Sequence, residues 1–272
     1  MTETARGFGP HDHLCWVYDE PGEFHSRAME FLADGLAQGQ RVWYTADTDP
    51  GALWEELRYL DKGRRRGSVR VGPPGARDAA APAVDPVGQV RALAAVMQET
   101  LAAGFTGLRI VTEATPQLRT PEHLNAWACC ELLADRYMMA LPFSAMCGYN
   151  RAELSKEAIA HVACLHPTVN AGAPFRLYSS SGAAVSLSGE LDLTSCDLFA
   201  TALRRADLRP VDNELIIDAT GLDFIDHRNL LILAAHARSC GATAVLRTGF
   251  TNSAARMVEI LDIEDVRVEV SG

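Results

Sequence analysis

Histidine, cysteine and tyrosine recur with a period of two near the start of the chain and again in its middle. His11, His13 and Cys15 alternate, and Cys147 and Tyr149 repeat that parity. Alternate side chains of an extended chain point to one side, so each set presents its polar groups to a single face. Imidazole and thiolate are borderline-soft ligands that suit zinc, copper or haem iron. His-x-His-x-Cys is not a standard zinc spacing, however, and the paired Cys-x-x-Cys hook is absent. Three readings stay open. Cys15 and Cys147 are core thiols with His13 a satisfied strand-end histidine; or these residues line a pocket for an organic ligand; or His11, His13 and Cys15 hold a metal or haem.

A second polar cluster stands at Asp226-His227-Arg228-Asn229. It follows Leu215-Ile216-Ile217, an apolar run that suits a buried strand, and a turn at Thr220-Gly221. It directly precedes the helical pattern Leu230–Ala235. Backbone N–H groups at such a junction are available to a partner or an anion, so this turn is expected to be an exposed output platform. Nucleophilic catalysis finds no support, since no Gly-x-Ser-x-Gly elbow occurs. His123, His161 and His236 fall in helical segments without a spacing signal. Cys129-Cys130 are adjacent in a helical pattern with Trp127, Leu132 and Leu133, and such neighbours do not face each other, so they read as helix core.

The bulk properties narrow the class. The chain has 272 residues, comfortable for two domains, and 48% hydrophobic content, enough for real cores. A formal net charge of −10 argues against nucleic acid, which needs a basic field. The run Arg64-Arg65-Arg66 reads as a solvated loop. No apolar stretch approaches the ~20 residues of a membrane span, and the N-terminus lacks a signal-peptide core. The seven scattered cysteines fit reduced thiols, so a cytoplasmic location is expected.

Periodicity predicts strands near residues 14–18, 41–46, 68–71, 108–112 and 143–149, alternating with helices over 23–37, 52–60, 87–103, 120–138 and 155–165. That alternation implies a parallel sheet covered by helices. Residues 72–86 have loop composition, and 171–174 form the best linker. After it the pattern restarts, with strands near 184–192, 215–218, 244–247 and 266–270. The intervening helices are expected over 194–206, capped by Thr194, and over 230–239 and 252–261. The expected domains are therefore 1–170 and 175–272.

Two resemblances add to this. Ser188-Gly-Glu-Leu-Asp192, the strand Leu215–Asp218 and Leu222-Asp-Phe-Ile-Asp226 resemble a STAS domain of bacterial anti-sigma-factor antagonists. The resemblance implies a smaller α/β domain whose partner is an anti-sigma factor or related regulatory protein, a member of the GHKL-type kinase family. It implies a partner surface at Asp192, Asp226, His227, Arg228 and Asn229. In family members switched by phosphorylation, Asp is followed by Ser or Thr. Here His227 fills that position with no hydroxyl in the next two, so the switch is not expected to run. Arg228 is cationic and does not mimic the −1.5 to −2 charge that a phosphoserine brings.

The first half, His13-Leu-Cys15 with Tyr18, Gly107-Leu-Arg-Ile, Met146-Cys147-Gly-Tyr149 and His166-Pro167, resembles the MEDS sensory domain. That resemblance implies a RecA-like sheet that binds a small signal in place of nucleotide. The turn Asp19-Glu20-Pro21-Gly22-Glu23, where a P-loop would stand, is acidic and has no Lys, so ATP is not expected. Glu113, just past a strand, falls where ligands bind in such sheets. The expected ligand set is His13, Cys15, Tyr18, Glu113, Cys147, Tyr149 and His166. The whole reads as a signalling regulator and not an enzyme, coupled through the linker and a homodimer contact. A residual ATPase-derived enzyme and a structural adaptor in a STAS assembly are the alternatives.

Overall fold

The computed structural model describes residues 4–46, 50–61, 66–72, 83–181, 183, 185–249 and 253–270. Most of the 72–86 loop and Arg64-Arg65 lie outside them. The chain divides into two compact units, Met1–Ile159 with Pro167–Gly172, and Ala160–His166 with Ala173–Gly272.

The chain as far as Val169 follows the expected alternation: β1 (His13–Tyr18), α1 (Pro21–Ala37), β2 (Arg41–Thr45), α2 (Pro50–Asp61), β3 (Val69–Val71), α3 (Pro86–Ala102), β4 (Leu108–Glu113), a 3-10 turn (Thr115–Leu118), α4 (Pro121–Ala140), β5 (Phe143–Asn150), α5 (Lys156–Ala163, divided between the units after Ile159) and β6 (Thr168–Val169). The six strands pair in parallel in the order β3-β2-β4-β5-β1-β6. The expected fold class, a parallel sheet flanked by helices, is what the chain adopts. Helix starts follow their local chemistry. Thr120 accepts from the His123 N–H and Asp85 from the Val87 N–H, each ahead of a proline in the first turn.

Strand alternation divides the sheet into two cores. Trp16, Tyr18, Tyr44, Val111 and Met146 pack with Phe24, Phe31 and Leu32 of α1 and Leu57 of α2. Trp43, Ile110, Phe143 and Ala145 pack with Leu93 and Met97 of α3 and Ala134 and Met138 of α4. Arg109 of β4 is wholly buried on the α1 side. Its guanidinium lies 4.5 Å over the Phe31 ring and donates to the Gln40 side chain and the carbonyls of Phe31 and Phe8. Burial lowers its pKa to about 10, with Asp34 and Asp12 opposing. The Gly-Leu-Arg-Ile motif is thus a strut between β4, α1 and the segment before β1.

The second unit has a mixed sheet in the order β10-β8-β9-β11-β12, with β7 antiparallel to β8. Its elements are β7 (Phe175–Tyr178), β8 (Val185–Leu191), α6 (Cys196–Ala206), β9 (Glu214–Asp218), β10 (Leu222–Ile225), α7 (His227–Ser239), β11 (Thr243–Thr248), α8 (Ser253–Ile260) and β12 (Val266–Val270). β9 and β10 share one edge of β8, one pairing its start and the other its end. Three local expectations need correction. Thr194 does not cap α6; its hydroxyl donates to Asp192 and the helix begins after Ser195. α7 begins at His227 rather than Leu230, because the Asp226 carboxylate accepts the Asn229 N–H. The polar turn is therefore the first turn of a helix. Asn229, expected on the surface, is fully buried, with its Nδ2 donating to the Asp192 carbonyl and to Asp226.

Candidate functional site

The chemistry gathers on the α3/α4 side of the first sheet. His13 and Cys147 face that side because His13 pairs with Ala145 and Cys15 with Cys147 in register. α4 brings Glu131 and Asp135 over them, four residues apart on one helix face. His13 Nε2 lies 3.0 Å from Glu131 Oε2, and His13 Nδ1–H donates to Asp135 Oδ1 at 3.2 Å. The Cys147 thiol donates to Glu131 Oε2 at 3.5 Å, and its sulfur is 3.9 Å from His13 Nε2. The Tyr149 hydroxyl donates to Glu131 Oε1 at 2.5 Å and accepts from Trp127 Nε1 at 2.9 Å.

All of these side chains are buried, so their ionisation is set by one another. Burial by itself lowers the His13 pKa, but the hydrogen bonds to Asp135 and Glu131 outweigh it and raise it to about 9. His13 is therefore an imidazolium between two carboxylates. Burial, then Glu131, pushes the Cys147 thiol and the Tyr149 phenol well above their usual ranges, so both stay protonated and donate. Two buried carboxylates beside one cation is a costly arrangement, tolerated only with many hydrogen bonds.

Beside this cluster is a narrow cavity of about 40 Å³. Leu93, Ile110, Ala134, Met138, Phe143 and Ala145 give it apolar walls, and His13, Glu131, Cys147, Thr112 and Thr45 its polar part. Since one water needs roughly 10–15 Å³ by the same measure, the space suits a molecule of about three heavy atoms.

The expected ligand set is split by the sheet. Tyr18 and Glu113 lie on the α1 side, where Tyr18 stacks on Phe24 at 4.8 Å and its hydroxyl donates to Glu113 Oε1 at 2.9 Å. The period of two that unites His13 with Cys147 sends Tyr18 the other way. Burial raises the Glu113 carboxyl, with hydrogen bonds from Thr115 and Tyr18 opposing. Cys15 is buried beside Cys147 but outside the donor group around His13. His11 is also outside it; its Nδ1–H donates to the Met138 carbonyl at 2.7 Å. His166 belongs to the second unit, where its Nδ1–H donates to the Val162 carbonyl at 2.8 Å. Glu131 and Asp135 escape the sequence reading. Their signal is the stripe Trp127, Glu131, Asp135, Met138, which sets acids on an otherwise apolar helix face.

A family model described as MEDS, MEthanogen/methylotroph, DcmR Sensory domain, matches residues 12–167, more than half of the chain. The chain belongs to the MEDS family. The MEDS segment contains every residue of the His13 cluster and of the cavity, and it gives the protein a sensory role. No curated protein matches the chain. Among the described residues no helix is long and apolar enough to cross a membrane. All seven cysteines are free thiols.

Proposed function

We propose that this protein is a signalling regulator in which the MEDS unit binds a small molecule in the cavity beside His13, Glu131 and Cys147. The second unit, read as a STAS-type domain, relays that state to a protein partner. The cavity carries the reading, because it joins apolar walls to hydrogen-bonding groups inside the family segment. A neutral compound of few atoms with one polar group fits both parts. The acidic turn at Asp19–Glu23 supports a RecA-derived sheet that has given up nucleotide.

In the second unit the exposed residues Asp192, His227 and Arg228 form the partner surface. They are neighboured in sequence by the exposed apolar side chains Leu193, Phe224 and Leu231. An anti-sigma factor of the GHKL kinase family is the partner that the STAS reading implies. A ligand need favour one state of the regulator by only about 1–3 kcal/mol to give a useful response.

The test is calorimetry on the full chain with a panel of one- to three-carbon alcohols, amides and halides. Saturable binding that is lost in Ala134→Leu, which narrows the cavity, is the expected outcome. Wild-type protein that binds none of the panel, or an Ala134→Leu chain that binds equally well, refutes the cavity reading.

A further inference from the structure

The geometry around His13 points to a second occupant, and we propose that the MEDS unit holds one zinc-type divalent cation on His13 Nε2, Glu131 Oε2 and the Cys147 sulfur. These atoms lie within 4.8 Å of one another and come from three different elements, β1, α4 and β5. Their separations are 3.0, 3.5 and 3.9 Å. Zinc bonds of about 2.0 Å to nitrogen or oxygen and 2.3 Å to sulfur give tetrahedral edges of roughly 3.3 Å without sulfur and 3.5 Å with it. Each side of the triangle is within about 0.4 Å of the matching edge of a zinc tetrahedron.

The outer groups match too. Zinc-bound histidine usually donates its second N–H to a carboxylate, and His13 Nδ1–H donates to Asp135. A ligating carboxylate is itself usually hydrogen-bonded; Glu131 Oε1 takes the Tyr149 hydroxyl, which Trp127 orients in turn. Glu131 thus keeps Oε2 for the cation.

Charge is conserved in the exchange. The cation enters with two positive charges, and the Nε2 proton of His13 and the thiol proton of Cys147 leave to solvent. Two positive charges gained and two protons lost leave the buried net charge unchanged. Binding of this kind releases protons and strengthens with pH. The inference deepens the sensory reading, yet its test needs no small ligand.

The full reduced chain is equilibrated with Zn²⁺ or Co²⁺, freed of excess by gel filtration, and examined by metal analysis and spectroscopy. The expected result is one metal per chain, with a thiolate-to-cobalt charge-transfer band that Cys147→Ser removes and Cys15→Ser retains. X-ray absorption on the zinc-loaded wild type guards against a variant that misfolds. It should show one sulfur at about 2.3 Å among nitrogen and oxygen neighbours at about 2.0 Å. Absence of stoichiometric metal, a shell with no sulfur or with two, or a charge-transfer band that survives Cys147→Ser overturns the proposal. Metal retained by a chain that binds no small compound would sustain this site while removing the cavity reading.

Discussion

Tyr18 and Glu113 show how much a single strand position decides. Both are candidates for a shared crevice by sequence, yet they form a pair of their own on the α1 side of the sheet, where Tyr18 stacks on Phe24. Glu113 also offers a pH test. Its carboxyl titrates above the ordinary carboxylate value because it is buried. A carboxyl with a folded-state pKa above its unfolded value binds its proton more readily when folded. The fold therefore loses stability as pH climbs from the unfolded value, 4.5, through the folded one. Glu113→Gln keeps an acceptor for Tyr18 and Thr115 but cannot ionise. Urea denaturation should find this variant more stable than wild type at pH 7 and no more stable at pH 4. Equal stability of the two proteins at both values would contradict the assignment. The residues that matter most at the site were only half legible in sequence. His13 and Cys147 stand out by parity, whereas Glu131 and Asp135 look like ordinary solvent-facing acids until α4 is laid on the sheet.

At the scale of elements, the sheet and its helices were legible because their periods differ sharply, two against 3.6. What escaped was pairing that depends on distant chain. β6 is two residues long and exists through its contact with β1. β7 follows a proline and acquires strand character from antiparallel pairing to β8. α7 starts three residues before its apolar run because Asp226 caps it and Asn229 turns inward, tied to Asp192 across the turn. Close approach between α1 and the sheet gives a prediction here. A Cβ on Gly148 of β5 would lie 2.3 Å from the Phe24 ring. Gly148→Ala should therefore cost about 1–3 kcal/mol of stability by overpacking. Phe24→Leu in that background should recover part of the loss, a coupling expected of residues in contact. Chemical denaturation of the single and double variants measures it; strictly additive effects would show that the clash is relieved elsewhere.

For the whole molecule, the division into units does not coincide with one point on the chain. The first unit gives way to the second at Ala160, resumes at Pro167, and ends at Gly172. In the second unit the Leu177 N–H donates to the Cys164 carbonyl at 2.6 Å, and Val162, Ala163, Cys164 and Leu165 are all but fully buried. A fragment of residues 160–272 should melt above one of 173–272 by roughly 5 °C or more, the shift that about 1 kcal/mol produces in a domain of this size. Equal melting temperatures would show that the 160–166 segment contributes nothing to the fold of that unit. The same interleaving has a meaning for gene fusion. The family segment runs to residue 167, so recombination that transplants it whole carries away seven residues of its neighbour's structure. A lineage that exchanges the unit behind the MEDS segment must either supply a replacement for that strip or accept a crippled recipient. Productive shuffling is thereby restricted to donors whose own sensors end in an equivalent helix.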